Sequence, residues 1–172
     1  GSLGAYSIDG TIVAPAPKGA SVATYRAGSF YIDQNADQAW NSTTGGDASF
    51  KFGTNGDKPL VGDWNGDGIT DVGVFRNGVF LLDANGNRSW NNVAGGDVKF
   101  EFGSPSDAPV SGDWNGDGST DIGTYRDGYF YLDLNGNHAW NGVAGGDAKI
   151  RFGNKTDTPV TGDWNGDGFD DI

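Results

Sequence analysis

The sequence predicts an all-β fold built from a repeated unit of about 50 residues, and three observations support this prediction. The segment GDWNGDG begins at residues 62, 112 and 162, so successive copies are 50 residues apart. The two-residue turns Asn77-Gly78 and Asp127-Gly128 separate short apolar runs, which is a strong hairpin signal. The 31 glycines are spread too densely for helices, and no window shows a sustained helical period of apolar residues.

Each repeat is predicted to hold four short strands joined by turns. In the third copy the acidic loop follows the first strand, and Asp127-Gly128 joins the second strand to the third. A glycine-rich loop leads into the fourth strand. The predicted strands of this copy are residues 109–114, 120–126, 129–133 and 149–152.

The apolar pattern of the strands predicts how these small sheets are arranged. The third strand is apolar on both faces, with Phe80 and Leu82 on one face and Leu81 on the other, so both faces must be covered. The fourth strand alternates, as in Phe100-Glu101-Phe102, and its charged face is typical of an exposed sheet edge. Four-stranded blades stacked around an axis meet both conditions, so a β-propeller is predicted. The chain supplies about three blades, whereas closed rings typically have about four to eight, so closure would require oligomerisation.

The chain divides into an N-terminal segment, residues 1–20, and the propeller repeats, residues 21–172. Counting back 50 residues from the first acidic loop reaches Val13, Pro15 and Pro17, so no further acidic loop is predicted there. The opening Gly1-Ser2 and the absence of Met are typical of a tag remnant, followed here by a degenerate first-strand region. The repeats are residues 21–62, 63–112, 113–162 and a partial copy, 163–172.

Each GDWNGDG segment opens a candidate calcium loop. Side-chain oxygens at loop positions 1, 3, 5 and 9, with the main-chain carbonyl of position 7, supply most of the six to eight oxygen ligands that calcium takes. Glycine at position 6 permits the sharp turn that faces both halves of the loop toward one ion. The predicted ligands are Asp63, Asn65, Asp67, Ile69, Asp71, Asp113, Asn115, Asp117, Ser119, Asp121, Asp163, Asn165, Asp167, Phe169 and Asp171.

These loops predict about three Ca²⁺ ions per chain. The alternative is that they are plain polar turns, because Asp-Gly and Asn-Gly turns form without metal. Three copies with the same oxygen positions favour the metal. Donors that are all oxygen, in a chain without cysteine, favour calcium over zinc or copper.

Charge and composition exclude several classes of function. The net charge of −12 argues against nucleic acid and anionic membranes as partners, and no apolar run is long enough to span a bilayer. His138 is the only histidine, and no Ser/His/Asp or Cys/His set can be assembled, so the chain is not predicted to be an enzyme.

Tryptophan and arginine also recur at the repeat spacing. For Trp40, Trp90 and Trp140, packing between blades is favoured, and sugar binding is the alternative. Arginine at the end of the second strand is expected to pair with an acid after the third strand. The expected pairs are Arg26 with Asp33, Arg76 with Asp83 and Arg126 with Asp133.

The repeat unit resembles the FG-GAP/VCBS family of calcium-binding, integrin α-like propeller repeats. The resemblance runs from the Phe-Gly pair to GDWNGDG and covers nearly everything after residue 20. It implies a calcium loop between the first and second strands of each blade, and the loop residues given above match it position by position. One departure is Gly123-Thr124-Tyr125-Arg126, where many relatives have Gly-Ala-Pro. The Phe-Gly pairs are Phe52-Gly53, Phe102-Gly103 and Phe152-Gly153.

The expected function is that of a calcium-binding extracellular or cell-surface propeller module with a structural or adhesive role. The alternatives are a calcium-dependent, lectin-like propeller that binds carbohydrate and, less favoured, a propeller glycosidase or peptidase. The expected ligand is a glycan or a protein.

Two chains are also expected to complete one six-bladed ring, with residues 159–164 of one chain completing the blade formed by residues 23–52 of the other. The rival hypothesis is a fragment of a longer propeller.

Overall fold

The computed structural model describes residues 22–172, which form three antiparallel sheets and contain no α-helix. The all-β prediction is confirmed, with strand ends that shift by one or two residues from those expected. Sheet 1 comprises β1 (Ala23–Arg26), β2 (Ser29–Ile32) and β3 (Ala48–Lys51). Sheet 2 comprises β4 (Lys58–Gly62), β5 (Asp71–Arg76), β6 (Val79–Leu82) and β7 (Val98–Glu101). Sheet 3 comprises β8 (Ala108–Gly112), β9 (Asp121–Arg126), β10 (Tyr129–Leu132) and β11 (Ala148–Arg151). The predicted N-terminal segment lies outside the described residues.

Within each sheet the strands are neighbours in chain order, so every connection is a hairpin or a short loop. At the β5–β6 hairpin Arg76 pairs with Val79, which leaves Asn77 and Gly78 as the two turn residues. Both turn residues have positive φ, 52° and 89°, as a type I′ turn requires. The hairpins predicted from Asn-Gly and Asp-Gly are therefore confirmed.

The glycine-rich loop before the last strand of each sheet contains a single 3₁₀ turn, which the sequence analysis did not predict. The turns are Thr43–Gly45, Val93–Gly95 and Val143–Gly145. Each ends at a glycine with φ above 100°, a conformation that favours glycine.

The sheets stack face to face, and their hydrophobic cores lie between neighbouring sheets. Phe30 and Phe52 of sheet 1 pack against Val72, Val74 and Leu81 of sheet 2. The opposite face of sheet 2 contributes Phe75, Phe80 and Leu82 to a cluster with Ile122 of sheet 3. Strand β6 is therefore buried on both faces, as its sequence predicts. The edge positions of β3, β7 and β11 match the expectation from their charged residues.

Hydrogen bonds join the first two acidic loops to the repeat that follows each of them. Thr120 donates its N–H to the Asp63 carbonyl at 2.8 Å, and Asp63 donates its N–H to the Thr120 hydroxyl at 2.9 Å. One repeat later, Asp170 makes the same two contacts with Asp113, at 3.0 and 2.8 Å. Neighbouring sheets are thus joined by polar contacts as well as by their cores.

The outer face of sheet 3 exposes apolar side chains that the other sheets bury. Phe152 is 66% exposed, whereas Phe52 and Phe102 are 4% and 2% exposed. Val160 is 67% exposed, whereas its counterpart Leu60 is 7% exposed. Residues 22–172 form an open stack, and no closed ring is formed within that range. No helix in this range is long and apolar enough to cross a membrane.

Candidate metal centres

The first acidic loop wraps its own backbone around the Asp63 carboxylate. Asp63 Oδ1 accepts hydrogen bonds from the N–H groups of Gly66 (2.7 Å) and Asp67 (3.1 Å), and Oδ2 accepts one from Gly68 (2.7 Å). Gly68, at loop position 6, has φ of 83°, which agrees with the predicted sharp turn. Desolvation disfavours the charge, but these N–H donors outweigh it and lower the pKa of Asp63.

The next two loop ligands follow the same pattern. Asn65 Oδ1 accepts from the Asp67 N–H at 2.9 Å, and Asp67 Oδ1 accepts from the Ile69 N–H at 2.8 Å. The second and third loops repeat these bonds at their own positions. The fold of each loop is therefore built from local hydrogen bonds made by Asp, Asn and Gly.

The fourth acid of the first loop, Asp71, lies at the start of β5 and is 7% exposed. Its Oδ2 atom is buried and has no hydrogen-bond partner. Burial, together with the nearby carboxylates of Asp83, Asp67 and Asp63, raises the pKa of this carboxyl to about 6. Three acids of the loop thus lie close enough to repel one another.

Asp121 has the same environment in the second loop. It is 8% exposed at the start of β9, and its Oδ2 atom is also buried without a partner. Burial, the largest cause, and the neighbouring carboxylates together raise the pKa of Asp121 to about 7. These neighbours are Asp117, Asp133 and Asp113.

The third loop differs at its fourth acid. Asp171 is half-buried and its Oδ2 atom accepts a hydrogen bond from the Trp164 N–H at 3.1 Å. Asp163 remains bonded to Gly166 and Gly168, and the Gly168 N–H is the main cause that lowers its pKa. The orphaned buried oxygen therefore occurs in the first two loops, and the third loop shares only their backbone fold.

The donor set of the first two loops fits a hard cation. Each combines ionised carboxylates, an asparagine side-chain oxygen and one buried carboxylate oxygen that lacks a partner. An unpartnered buried carboxylate is costly, and a bound cation would both pair it and relieve the repulsion around it. The loops are also more open than a compact acidic cluster, because their carboxylates do not come within 4.8 Å of one another in threes.

Within residues 22–172, three carboxylates meet within 4.8 Å only at Asp33, Asp37 and Asp47. These residues lie in the loop between β2 and β3. The sequence analysis missed this group. The Asp-x-Asn-x-Asp spacing of residues 33–37 was the available signal, but Gln38 replaces the glycine of position 6 and Asp47 lies 14 residues beyond Asp33.

Arg76 and Arg126 pair with acids, as predicted, but the partner acids expected from sequence are wrong. Arg76 forms a two-point ion pair with Asp57, with both N–O distances at 2.7 Å. Arg126 lies 3.6 Å from Asp107, the equivalent acid of the next repeat. Asp83, the expected partner, instead accepts hydrogen bonds from the backbone of its own loop.

Two of the recurring tryptophans, Trp90 and Trp140, pack between sheets, as the favoured interpretation predicts. The Trp90 ring lies edge-on to Phe52 of sheet 1, and the Trp140 ring lies edge-on to Phe102, each at 6.2 Å. Trp40 lies edge-on to Tyr31 at 5.3 Å and is 52% exposed.

Comparisons of the chain with protein-family profiles, with curated proteins and with solved structures found no match.

Proposed function

We propose that this chain is a calcium-stabilised, extracellular β-propeller module with a structural or adhesive role. One observation carries the proposal: Asp71 and Asp121 each hold a buried carboxylate oxygen without a partner, beside other acids of a repeated loop. Because each group would be satisfied by a cation, metal binding is the function best matched to the site.

In the first loop the ion would be held by Asp63, Asn65, Asp67 and Asp71, with the Ile69 carbonyl. The second loop supplies the equivalent five residues. Bound calcium would supply positive charge and would fix the rim formed by the loops. Because Asp63 and Thr120 are joined by two hydrogen bonds, an ordered first loop would also restrain the second loop in the next blade.

Calorimetric titration of chelator-stripped protein with Ca²⁺ tests the proposal. We expect the acidic loops to supply about three sites per chain, with dissociation constants on the order of 10⁻⁴–10⁻³ M, the range of extracellular modules. The variant Asp121→Asn should bind one ion fewer, because it removes a charged ligand without changing the side-chain volume.

Asp127→Asn is the matched control. Asp127 lies in the β9–β10 hairpin and pairs only loosely with Lys155, at 3.6 Å, so the change removes the same charge far from the loop ligands. It should bind calcium like the parent chain. If Asp121→Asn bound as many calcium ions as the parent chain, the second acidic loop would not be a calcium site.

The net charge of the chain supports the extracellular setting. Weak oxygen-only sites are filled at the millimolar calcium found outside cells, and a chain of net charge −12 gains most from such cations. Binding of glycans by the half-exposed tryptophan rings is the alternative function.

A second copy of the chain is the partner that best fits the open faces. Between neighbouring sheets, Phe52 contacts Trp90 and Phe102 contacts Trp140, so the same spacing would place the exposed Phe152 against Trp40 of a second copy. Ser2 stands where that contact would require a phenylalanine within one chain. Two copies joined at both ends would close a six-bladed ring, a size typical of propellers.

A further inference from the structure

The loop between β2 and β3 gathers three carboxylates with no ion pair among the residues that the structure describes. Asp33 and Asp47 are 6% and 5% exposed, and Asp37 closes the group from the solvent side. Oxygen atoms of all three side chains lie within 4.8 Å of one another. Arg88 contacts this loop at Gln34, whose Oε1 atom accepts a hydrogen bond from Nη1 at 3.1 Å, so negative charge is concentrated here without an ion pair.

The Oδ1 atom of Asp47 is the feature that points to a ligand. This atom is buried and accepts no hydrogen bond, while Oδ2 of the same carboxylate accepts one from the Asn41 N–H at 2.7 Å. In the other two sheets the equivalent oxygen is satisfied. Asp97 Oδ1 accepts from Asn85 Nδ2 at 3.1 Å, and Asp147 Oδ1 accepts from Asn135 Nδ2 at 3.2 Å.

The difference between the sheets arises at residue 37. Asn35 Nδ2 donates to Asp37 Oδ2 at 3.1 Å, and Asn41 Nδ2 donates to the same oxygen at 2.6 Å. Sheets 2 and 3 have Asn87 and Asn137 at this position, which donate to the side chains of Asn91 and Asn141 instead. Sheet 1 therefore has three carboxylates where the other sheets have two. Because Asn35 donates to Asp37, the buried Oδ1 atom of Asp47 is left without a donor.

We propose that Asp33, Asp37 and Asp47 bind one divalent, oxygen-preferring cation of the calcium class, at a site separate from the GDWNGDG loops. The cation pairs with the orphaned Asp47 Oδ1 and offsets the repulsion among three acids. The oxygen-only donor set excludes a preference for zinc or copper. Hydrogen bonds from the Ala39 N–H and from Asn41 lower the pKa of Asp37, so that this ligand is ionised at neutral pH. The site does not rest on the proposed function of the acidic loops, because it shares no ligand with them.

Calorimetric Ca²⁺ titration of Asp37→Asn tests this site. Asparagine is the natural residue at this position in sheets 2 and 3, so the variant retains the loop fold. We expect it to bind one ion fewer than the parent chain. The reverse change, Asn87→Asp, brings a third carboxylate to the loop of sheet 2 and provides a further comparison.

Asp127→Asn again controls for the loss of one negative charge, and it should leave the stoichiometry unchanged. A double variant, Asp71→Asn with Asp121→Asn, separates this site from the acidic loops: adding Asp37→Asn to it should remove one more ion. If Asp37→Asn binds as many ions as its parent in both backgrounds, the site is overturned, whatever the acidic loops bind. If Asp127→Asn loses an ion as well, the effect belongs to net charge and the assignment is equally overturned.

Discussion

At the residue scale, Asp121 shows that the folding of an acidic loop brings like charges together. Its carboxyl is buried beside other acids, and these surroundings raise its pKa to about 7. An unfolded chain has no such burial, so its aspartates ionise near the ordinary value of 3.8. Folding without calcium therefore favours the protonated form of this group.

The stability of the calcium-free protein should consequently depend on pH. A carboxyl whose pKa is higher in the folded state stabilises fully below the unfolded value and loses that contribution as pH rises through the folded value. In a chelating buffer we expect the free energy of unfolding to fall between about pH 4 and pH 8, by roughly 2–4 kcal/mol for Asp121. Asp71, with a folded pKa of about 6, adds to the fall.

Urea denaturation at a series of pH values measures this effect, with Asp121→Asn as the comparison. The variant should show a smaller fall and should be more stable than the parent at pH 8 without calcium. Burial lowers the pKa of His138, which acts in the opposite direction, but this contribution is common to both proteins and cancels. Parallel curves for the two proteins would contradict the buried-charge interpretation.

At the element scale, the hairpin turns differ in how closely the next loop approaches them. Gly28 and Gly78 both occupy the second turn position, with φ of 92° and 89°. A Cβ atom on Gly28 would lie 2.5 Å from the Gly53 carbonyl oxygen, whereas one on Gly78 would lie 3.4 Å from the Gly103 carbonyl oxygen. The two glycines therefore have the same backbone conformation, but they differ in the space available for an added methyl group.

The two alanine variants should separate these effects. Gly78→Ala should cost about 1–2 kcal/mol, the strain of alanine at positive φ. Gly28→Ala should cost more, because the added methyl group must also displace the Gly53 backbone. Chemical denaturation of both variants in the same calcium buffer gives the difference, and equal losses would show that the Gly53 loop yields freely.

The elements that sequence predicted well are those with local causes. Asn77-Gly78 specifies a turn by its own φ values, and the alternation around Phe100 specifies an edge strand. The acid that pairs with Arg76 was missed because Asp57 lies 19 residues away in sequence, and only the stacking of strands brings them together. Similarly, Asp47 joins Asp33 through the fold of a long loop without a recognised motif.

At the scale of the whole molecule, the open faces predict self-association. In calcium, sedimentation equilibrium should give twice the chain mass of 18.0 kDa. Val160→Asp should be monomeric, because Val160 lies on the exposed apolar face of the last repeat and its counterparts Leu60 and Val110 are buried.

Val143→Asp provides the control for that experiment. Val143 is 66% exposed, like Val160, but it lies in a 3₁₀ turn away from the stacking faces, so this variant should remain dimeric. A parent chain that is monomeric at high concentration would refute the dimer and would assign the open faces to further repeats or to another protein.

The hydrogen bonds between sheets also bear on how such a chain changes in evolution. Asp63 with Thr120 and Asp113 with Asp170 span 57 residues each, and Val61 with Ser111 spans 50, so every one of these bonds joins adjacent repeats. Duplication or deletion of a whole 50-residue unit would therefore reproduce contacts that already exist. An insertion of a different length within the ordered core of a unit would disturb the pairing of Asp63 with Thr120. Growth by complete units is thus the easiest route to a chain with more sheets.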